Sequence, residues 1–261
     1  MGKNKLKKFA EMKTIDLVFQ YPFSRLKEEG FPLRGRWGAD FFGNDNPIVL
    51  ELGCGKGEYT VGLARQFPDR NFIGIDIKGA RMWTGACQAR DAGMTNVAFI
   101  RTSIELLDSF FAPGEVAEIW ITFPDPQMKK VRKRLTGTRF IDLYRRVSRP
   151  DGIVNLKTDS PFLYAYTSMM AAHNGLQAIE ATDDLYATIS PDNPILNIRT
   201  HYENQWLDRG LTIKYIRFPL GDSPLEEPPG AEELEHDTYR SYSRGYIQMP
   251  DLMPDDVELK E

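Results

Sequence analysis

The stretch IVLELGCGKGEY, residues 48–59, decides the fold. Its first five residues are apolar except Glu51, a run of strand length with no polar parity, so cover is expected on both faces. Gly53, Gly55 and Gly57 follow at alternate positions, and helical character begins at Glu58. Without a Cβ, glycine takes dihedrals closed to other residues and lets backbone N–H groups approach a ligand. Strand, glycine turn and helix make the first half of a βαβ unit.

The second half is NFIGID, residues 71–76, which places Asp76 23 residues after Gly53 at the carboxyl end of the neighbouring strand. A carboxylate there can accept both hydroxyls of a ribose, and with the glycines it indicates a nucleoside-containing cofactor. The plainer alternative is a strand-to-helix turn followed by a helix cap. The spacing departs from the dinucleotide pattern GxGxxG, since Glu58 stands where the third glycine would be, and GxxxxGK[ST] is absent. Both departures favour a nucleoside without phosphates.

Further apolar runs follow at 97–100, 118–123 and 152–157, with helical intervals expected at 58–66, 80–92, 104–110, 137–147 and 162–174. Strands alternating with helices describe an α/β fold with a parallel sheet covered on both faces. LQAIEA (176–181) and LTIKYIRFPL (211–220) look like a closing pair of strands, separated by a 30-residue excursion that carries Pro191 and Pro194. The chain divides into a basic arm and irregular segment over 1–46, a catalytic domain over 47–218 and an acidic, proline-rich tail over 219–261.

The formal net charge of −4 hides a segregation: the last 43 residues hold 12 acidic and 3 basic side chains, and the first 218 are net +5. The segment PLGDSPLEEPPGAEELEHD has seven acids and no base, and reads as a solvated linker or flexible tail. The two cysteines, Cys54 and Cys87, offer no disulfide framework and no metal-ligand spacing, and the three histidines form no motif, so no metal is expected. MGKNKLKKFAEMK is basic without an apolar stretch behind it, so a cytoplasmic protein with no membrane span is expected. The choice between monomer and homodimer stays open.

Three more constellations carry chemistry. In TFPDPQMKK, two prolines bracket Asp125 at the end of a central strand and fix its position; the alternative is a simple Asp-Pro turn. KKVRKR (129–134) follows at once, and from Pro124 to Arg149 nine basic residues oppose two acids. Beside a reaction centre such a run suits a polyanion, and the first 13 residues add five lysines against one acid. Asp159, in NLKTDS, serves either function or helix capping. Thr200 and Glu203, in RTHYENQ, could serve one ligand or form a capping box.

Taken in order, GCGKG, GID, FPDP, the basic run, LKTD and TxxE resemble the bacterial tRNA (guanine-N7-)-methyltransferase family over residues 31–218, and PLRGRW before the first strand agrees. The resemblance implies a Rossmann-like class I methyltransferase fold with a mostly parallel seven-stranded sheet, helices on both faces and an antiparallel final strand. It implies S-adenosylmethionine as cofactor and guanine 46 of the tRNA variable loop as target. Carried over, Asp125 is the catalytic, active-site acid; Glu51, Gly53, Gly55, Gly57 and Asp76 are cofactor contacts; Asp159, Thr200 and Glu203 bind substrate. Lys129 and Lys130 are the expected phosphate contacts. Thr102, with Ser103 beside it, stands where the family has Asp or Asn at the adenine, and Gln127 and Met128 replace an aromatic pair after FPDP. The alternatives are a methyltransferase of this fold with another substrate, or a non-enzymatic nucleotide- or RNA-binding module.

Overall fold

The computed structural model describes residues 3–238 apart from 191, 192, 194, 195 and 197. Pro191, Pro194 and the tail beyond 238 therefore lie outside the described residues.

The parallel centre of the sheet follows the apolar runs: β2 (Ile48–Leu52), β3 (Asn71–Asp76), β4 (Val97–Arg101) and β5 (Val116–Thr122). β2 is buried at all five positions. Val49, Phe72, Phe99 and Trp120 join one apolar cluster, whereas Leu50, Ile73, Ile100 and Ile121 join another, as the two-residue period of a strand requires of a sheet covered on both sides. β6 (Ser148–Thr158) continues the parallel series, and β8 (Lys214–Pro219) runs antiparallel to it and to β7 (Glu180–Thr182).

The sheet has eight strands, not seven, in the order β1-β4-β3-β2-β5-β6-β8-β7. The added strand is β1 (Val18–Phe19), parallel to β4 through Val18–Phe99 and Phe19–Ile100. It comes from the amino-terminal segment expected to be irregular. That segment also forms α1 (Lys3–Met12), α2 (Phe23–Glu29) and a π-helical turn over Trp37–Phe42. Trp37 is fully buried, stacks on Phe111 at 5.7 Å and donates from Nε1 to the Phe110 carbonyl.

The crossovers are α3 (Glu58–Gln66), α4 (Gly79–Asp91), a 3-10 turn (Ile104–Leu106) running into α5 (Leu107–Phe110), α6 (Thr138–Arg145) and α7 (Pro161–His173). α7 starts where Ser160 accepts from the Leu163 N–H and Pro161 occupies the first turn. The excursion before β8 holds two short helices, α8 (Leu185–Thr188) and α9 (His201–Leu207). The acidic stretch after β8 is docked as far as 238: Ala231 is buried, and Leu225 and Leu234 pack on the core. None of the described helices is long and apolar enough to cross a membrane.

Connections run outward in opposite senses from β2 and β5, which makes the gap between them the switch point of the sheet. In open α/β sheets a ligand crevice opens off the carboxyl ends of such strands.

Candidate functional site

Two cavities meet at that switch point and share Gly53, Asp76 and Phe123 in their walls. The larger, about 390 Å3, reaches along the ends of β3 and β4 to Ile77, Thr102 and Ser103, and across to Asp125, Gln127 and Lys133. The smaller, about 90 Å3, lies over the glycine loop and is lined by Glu51, Gly55, Lys56, Arg81, Thr200 and Tyr202 among others.

The glycine loop takes the form its composition suggested. Gly53, Gly55 and Gly57 have φ of 78°, 55° and 73°, the left-handed region that other residues avoid. Gly57 N–H closes the turn on the Cys54 carbonyl, and the Gly53 and Cys54 N–H groups both donate to the Ile75 carbonyl, tying the loop to β3. A Cβ on Gly57 would come within 2.7 Å of the Phe99 ring, whereas one on Gly53 would meet nothing within 4 Å. The loop is thus packed tightly behind and open in front.

Acids flank it. Asp76 accepts from the Gly55 N–H at 2.9 Å and the Lys78 N–H at 2.7 Å, which orients its carboxylate at the shared wall. Glu51 is buried and accepts from Thr60, through N–H and hydroxyl, and from the Thr122 hydroxyl at 2.7 Å. Burial pushes its carboxyl up to about 7 despite those donors, and the Asp76 charge adds to the rise. This donor set suits a nucleoside carrying a cation: an acid for ribose hydroxyls, a second acid for positive charge, and the exposed face of a glycine turn. S-adenosylmethionine fits that description.

The chain leaves β5 through a strained loop. Phe123 and Gln127, both at φ of 49°, are the only non-glycine residues with positive φ among those described, and they bracket Pro124-Asp125-Pro126. Backbone strain of this kind costs of order 1–3 kcal/mol per residue and survives only where the surroundings enforce it. Asp125 is exposed at the cavity mouth, and its Oδ1 accepts from the Gln127 N–H at 3.0 Å.

The basic run divides in two. Lys129, Lys130 and Arg132 are exposed, and Lys133 pairs with Glu105 at 3.2 Å. Arg134 instead is buried, lies against the rings of Phe162 and Tyr166, and donates to the Gln127 and Met128 carbonyls. The sequence presented it as one more surface cation. Only the two rings it rests on, far away in the chain, mark it otherwise.

Asp159 is fully buried and lines neither cavity; the cap of α7 is Ser160, its neighbour. Thr200 and Glu203 do form a capping box on α9, and Thr200 also faces the smaller cavity. Glu203 turns inward, accepting from Tyr186 OH at 2.5 Å and pairing with Lys157 Nζ at 2.7 Å, both members of the ion pair being fully buried. Lys157 was not singled out by sequence. Its signal was a lysine inside GIVNLK, a run read as a strand of a sheet covered on both faces, where no solvent awaits it.

A family model described as "Putative methyltransferase" matches residues 45–216. A tRNA (guanine-N(7)-)-methyltransferase of Porphyromonas gingivalis is 65% identical over 235 residues, covering 89% of this chain and 96% of the relative. One of Bacteroides thetaiotaomicron is 57% identical over 244 residues, with coverages of 94% and 96%. Among solved structures, the 16S rRNA methyltransferase KamB aligns with a TM-score of 0.55 at 14% identity, over 70% of this chain and 92% of that one, which speaks for the fold alone. With the class I methyltransferase fold carrying a glycine loop and an FPDP loop on one edge, and with relatives this similar over nearly their whole length, the chain belongs to the tRNA (guanine-N7-)-methyltransferase family.

Proposed function

We propose that this protein transfers the methyl group of S-adenosylmethionine to N7 of a guanine in tRNA, at position 46 of the variable loop. The observation that carries the proposal is the junction of the two cavities: a glycine loop flanked by acids on one side, and on the other an exposed Asp125 followed by exposed lysines. When bound, S-adenosylmethionine supplies a sulfonium methyl electrophilic enough for N7, which carries no proton in neutral guanine, so that no general base is required.

The residues' work is then binding and alignment. Asp76 orients the ribose, Thr102 and Ser103 meet the adenine end, and the turn at Gly53, Gly55 and Gly57 presents backbone to the amino-acid end. Asp125 holds guanine by its N–H edge and tolerates the positive charge of the product base. Thr200 would bound the cofactor on the side of the smaller cavity, whose wall it lines. Glu203 acts through the shape of α9, and Asp159 reaches a base only once whatever covers it has moved. Lys129 and Lys130 take phosphates; reversing both charges is expected to lower the slope of log affinity for tRNA against log salt by about one unit or more per lysine, and an unaltered slope would remove them from the interface.

Glu51 makes cofactor affinity depend on pH. In the free protein its carboxyl titrates at about 7, above the ordinary 4.5, because burial disfavours the charge. A cation bound beside it holds it ionised, so binding below that value must expel a proton. Affinity for S-adenosylmethionine is expected to rise roughly tenfold from about pH 6 to about pH 8 and to level off above, read by calorimetric titration. Glu51→Gln should abolish the rise; a profile equally steep in that variant would assign the proton elsewhere.

The reaction is tested by incubating the full chain with labelled methyl donor and unmodified tRNA and mapping the nucleosides. Label in 7-methylguanosine at position 46 supports the proposal. Label in another nucleoside, or none in tRNA despite cofactor binding, replaces it with a methyltransferase of this fold acting on another substrate.

A further inference from the structure

After β8 the chain folds back as a strap across α6 and α7. Leu220 N–H returns to the Gly152 carbonyl, and the Arg145 guanidinium holds the Leu220 and Ser223 carbonyls. Asn174 pairs with the backbone N–H and carbonyl of Glu226. Glu227 then accepts from Thr138 Oγ1 and from Tyr166 OH, each at 2.6 Å, at the start of α6 and the middle of α7. These contacts order a segment whose acids and prolines would otherwise leave it solvated.

The strap ends beside the loop that carries Asp125. Asp237 is buried, and its carboxylate accepts from Ser160 Oγ and from the Phe162 N–H at the first turn of α7. His236 packs edge-on against Phe162 at 5.5 Å. The Asp237 N–H points to Met128 Sδ at 3.1 Å. Met128 is therefore gripped from two sides, by Asp237 at its sulfur and by Arg134 at its carbonyl, and Arg134 itself rests on the Phe162 ring that the strap covers. Three residues upstream of Met128 stands Asp125, inside the strained turn between Phe123 and Gln127. Strain at those two residues needs an external restraint, and Arg134 and Asp237 are restraints in the right place.

We propose that the strap over residues 220–237 is a positioning element of the methyl-transfer site, with Asp237 as the positioning residue that fixes Met128 and so the Asp125 turn. The proposal rests on the assignment of Asp125 to guanine binding. Its energetic basis is preorganisation: a loop held in one conformation presents Asp125 at the productive distance, whereas a sampled loop spends part of its time elsewhere and turnover falls in proportion. The competing role for an acidic strap is to occupy the RNA site and hold turnover down.

The test uses the full chain with Asp237→Ala, Asp237→Asn, Met128→Leu and the Asp237→Ala/Met128→Leu double variant. Three readouts are compared: turnover of tRNA per folded molecule, S-adenosylmethionine affinity, and the rate of tryptic cleavage at Lys129 and Lys130. For Asp237→Ala we expect a fall in kcat of about tenfold, cofactor affinity within about twofold of the parent, and cleavage at the two lysines faster by about tenfold. Asn can still accept from the Phe162 N–H, so Asp237→Asn should restore most of both. Met128→Leu should lose kcat severalfold and add little on top of Asp237→Ala, because the first removes the sulfur that the Asp237 N–H meets and the second frees the segment that carries that N–H. Unchanged kcat and unchanged cleavage in Asp237→Ala overturn the proposal, as does a gain in turnover with tighter tRNA binding, which would make the strap a competitor. Should Asp237→Ala fail to fold, Met128→Leu decides alone, and its parental kcat and cleavage rate would overturn the proposal. If the parent protein methylates no tRNA, the functional reading fails by itself, while the cleavage rates still judge the strap.

Discussion

Replacing Lys157 with methionine is expected to destabilise the protein by about 3–5 kcal/mol, a fall in melting temperature of roughly 6–20 °C for a domain of this size. Lys157 and Glu203 are both fully buried, and among the described residues the ammonium makes three polar contacts: Glu203 Oε1 at 2.7 Å and the carbonyls of Leu196 and Ile198 at 3.1 and 3.2 Å. Burial lowers the lysine's pKa while Glu203 opposes the shift, so the pair is a charged contact under tension from desolvation. Methionine keeps the length of the stem but leaves Glu203 without its cation and two carbonyls without a donor. The loss falls on the excursion between β7 and β8, because the lysine sits on β6 and all three acceptors belong to that excursion. The double change Lys157→Met/Glu203→Gln should recover part of the loss, since no bare charge then remains buried. Thermal unfolding of the parent and both variants measures it; a single variant that melts within a degree or two of the parent would mean that the buried charges contribute little to holding the excursion.

That pair also shows why the sequence disclosed some features and hid others. β2 through β6 and the helices between them were legible because each is a local pattern: an apolar run of strand length, a glycine turn, a stretch at helical period. Gly53, Gly55 and Gly57 announced a left-handed backbone because little else explains glycine at alternate positions after a strand. The amino-terminal segment gave no such signal. β1 has only two residues, and Phe31, Trp37 and Phe42 enter the core from a π-helical turn and irregular chain, so their burial follows no period. The tail misled for a related reason. Its acids look solvated when counted, yet Glu227 and Asp237 are matched to hydroxyls and a helix N-terminus supplied by residues some 60 to 90 positions earlier. The site divides along the same line. Asp76 and Asp125 stand on a strand end and a proline-fixed turn, which spacing locates, whereas the inward turn of Glu203, the burial of Asp159 and the inward role of Arg134 depend on partners that only tertiary structure brings near.

Asp125→Asn is expected to cut turnover of bound tRNA by about a hundredfold while leaving S-adenosylmethionine affinity within about threefold of the parent. The substitution is close to isosteric, and its remaining carbonyl can still accept from the Gln127 N–H now bonded to Oδ1 at 3.0 Å, so the turn itself should hold. What disappears is the charge. Under the proposed function the carboxylate meets the N–H edge of guanine and faces a base that becomes cationic as the methyl transfers, so it interacts more strongly with the transition state than with the bound substrate. Only such a differential raises kcat. A hydrogen bond to a charged group is worth about 1.5–3 kcal/mol, and the upper end corresponds to a little more than a hundredfold in rate. Cofactor affinity is spared because Asp76, Glu51 and the glycine turn lie across the crevice from Asp125 and keep their own hydrogen bonds. Single-turnover rates at saturating tRNA, with cofactor binding measured separately, resolve the two quantities. Unchanged turnover with weakened cofactor binding would place Asp125 on the cofactor side of the crevice and leave the guanine without its acid.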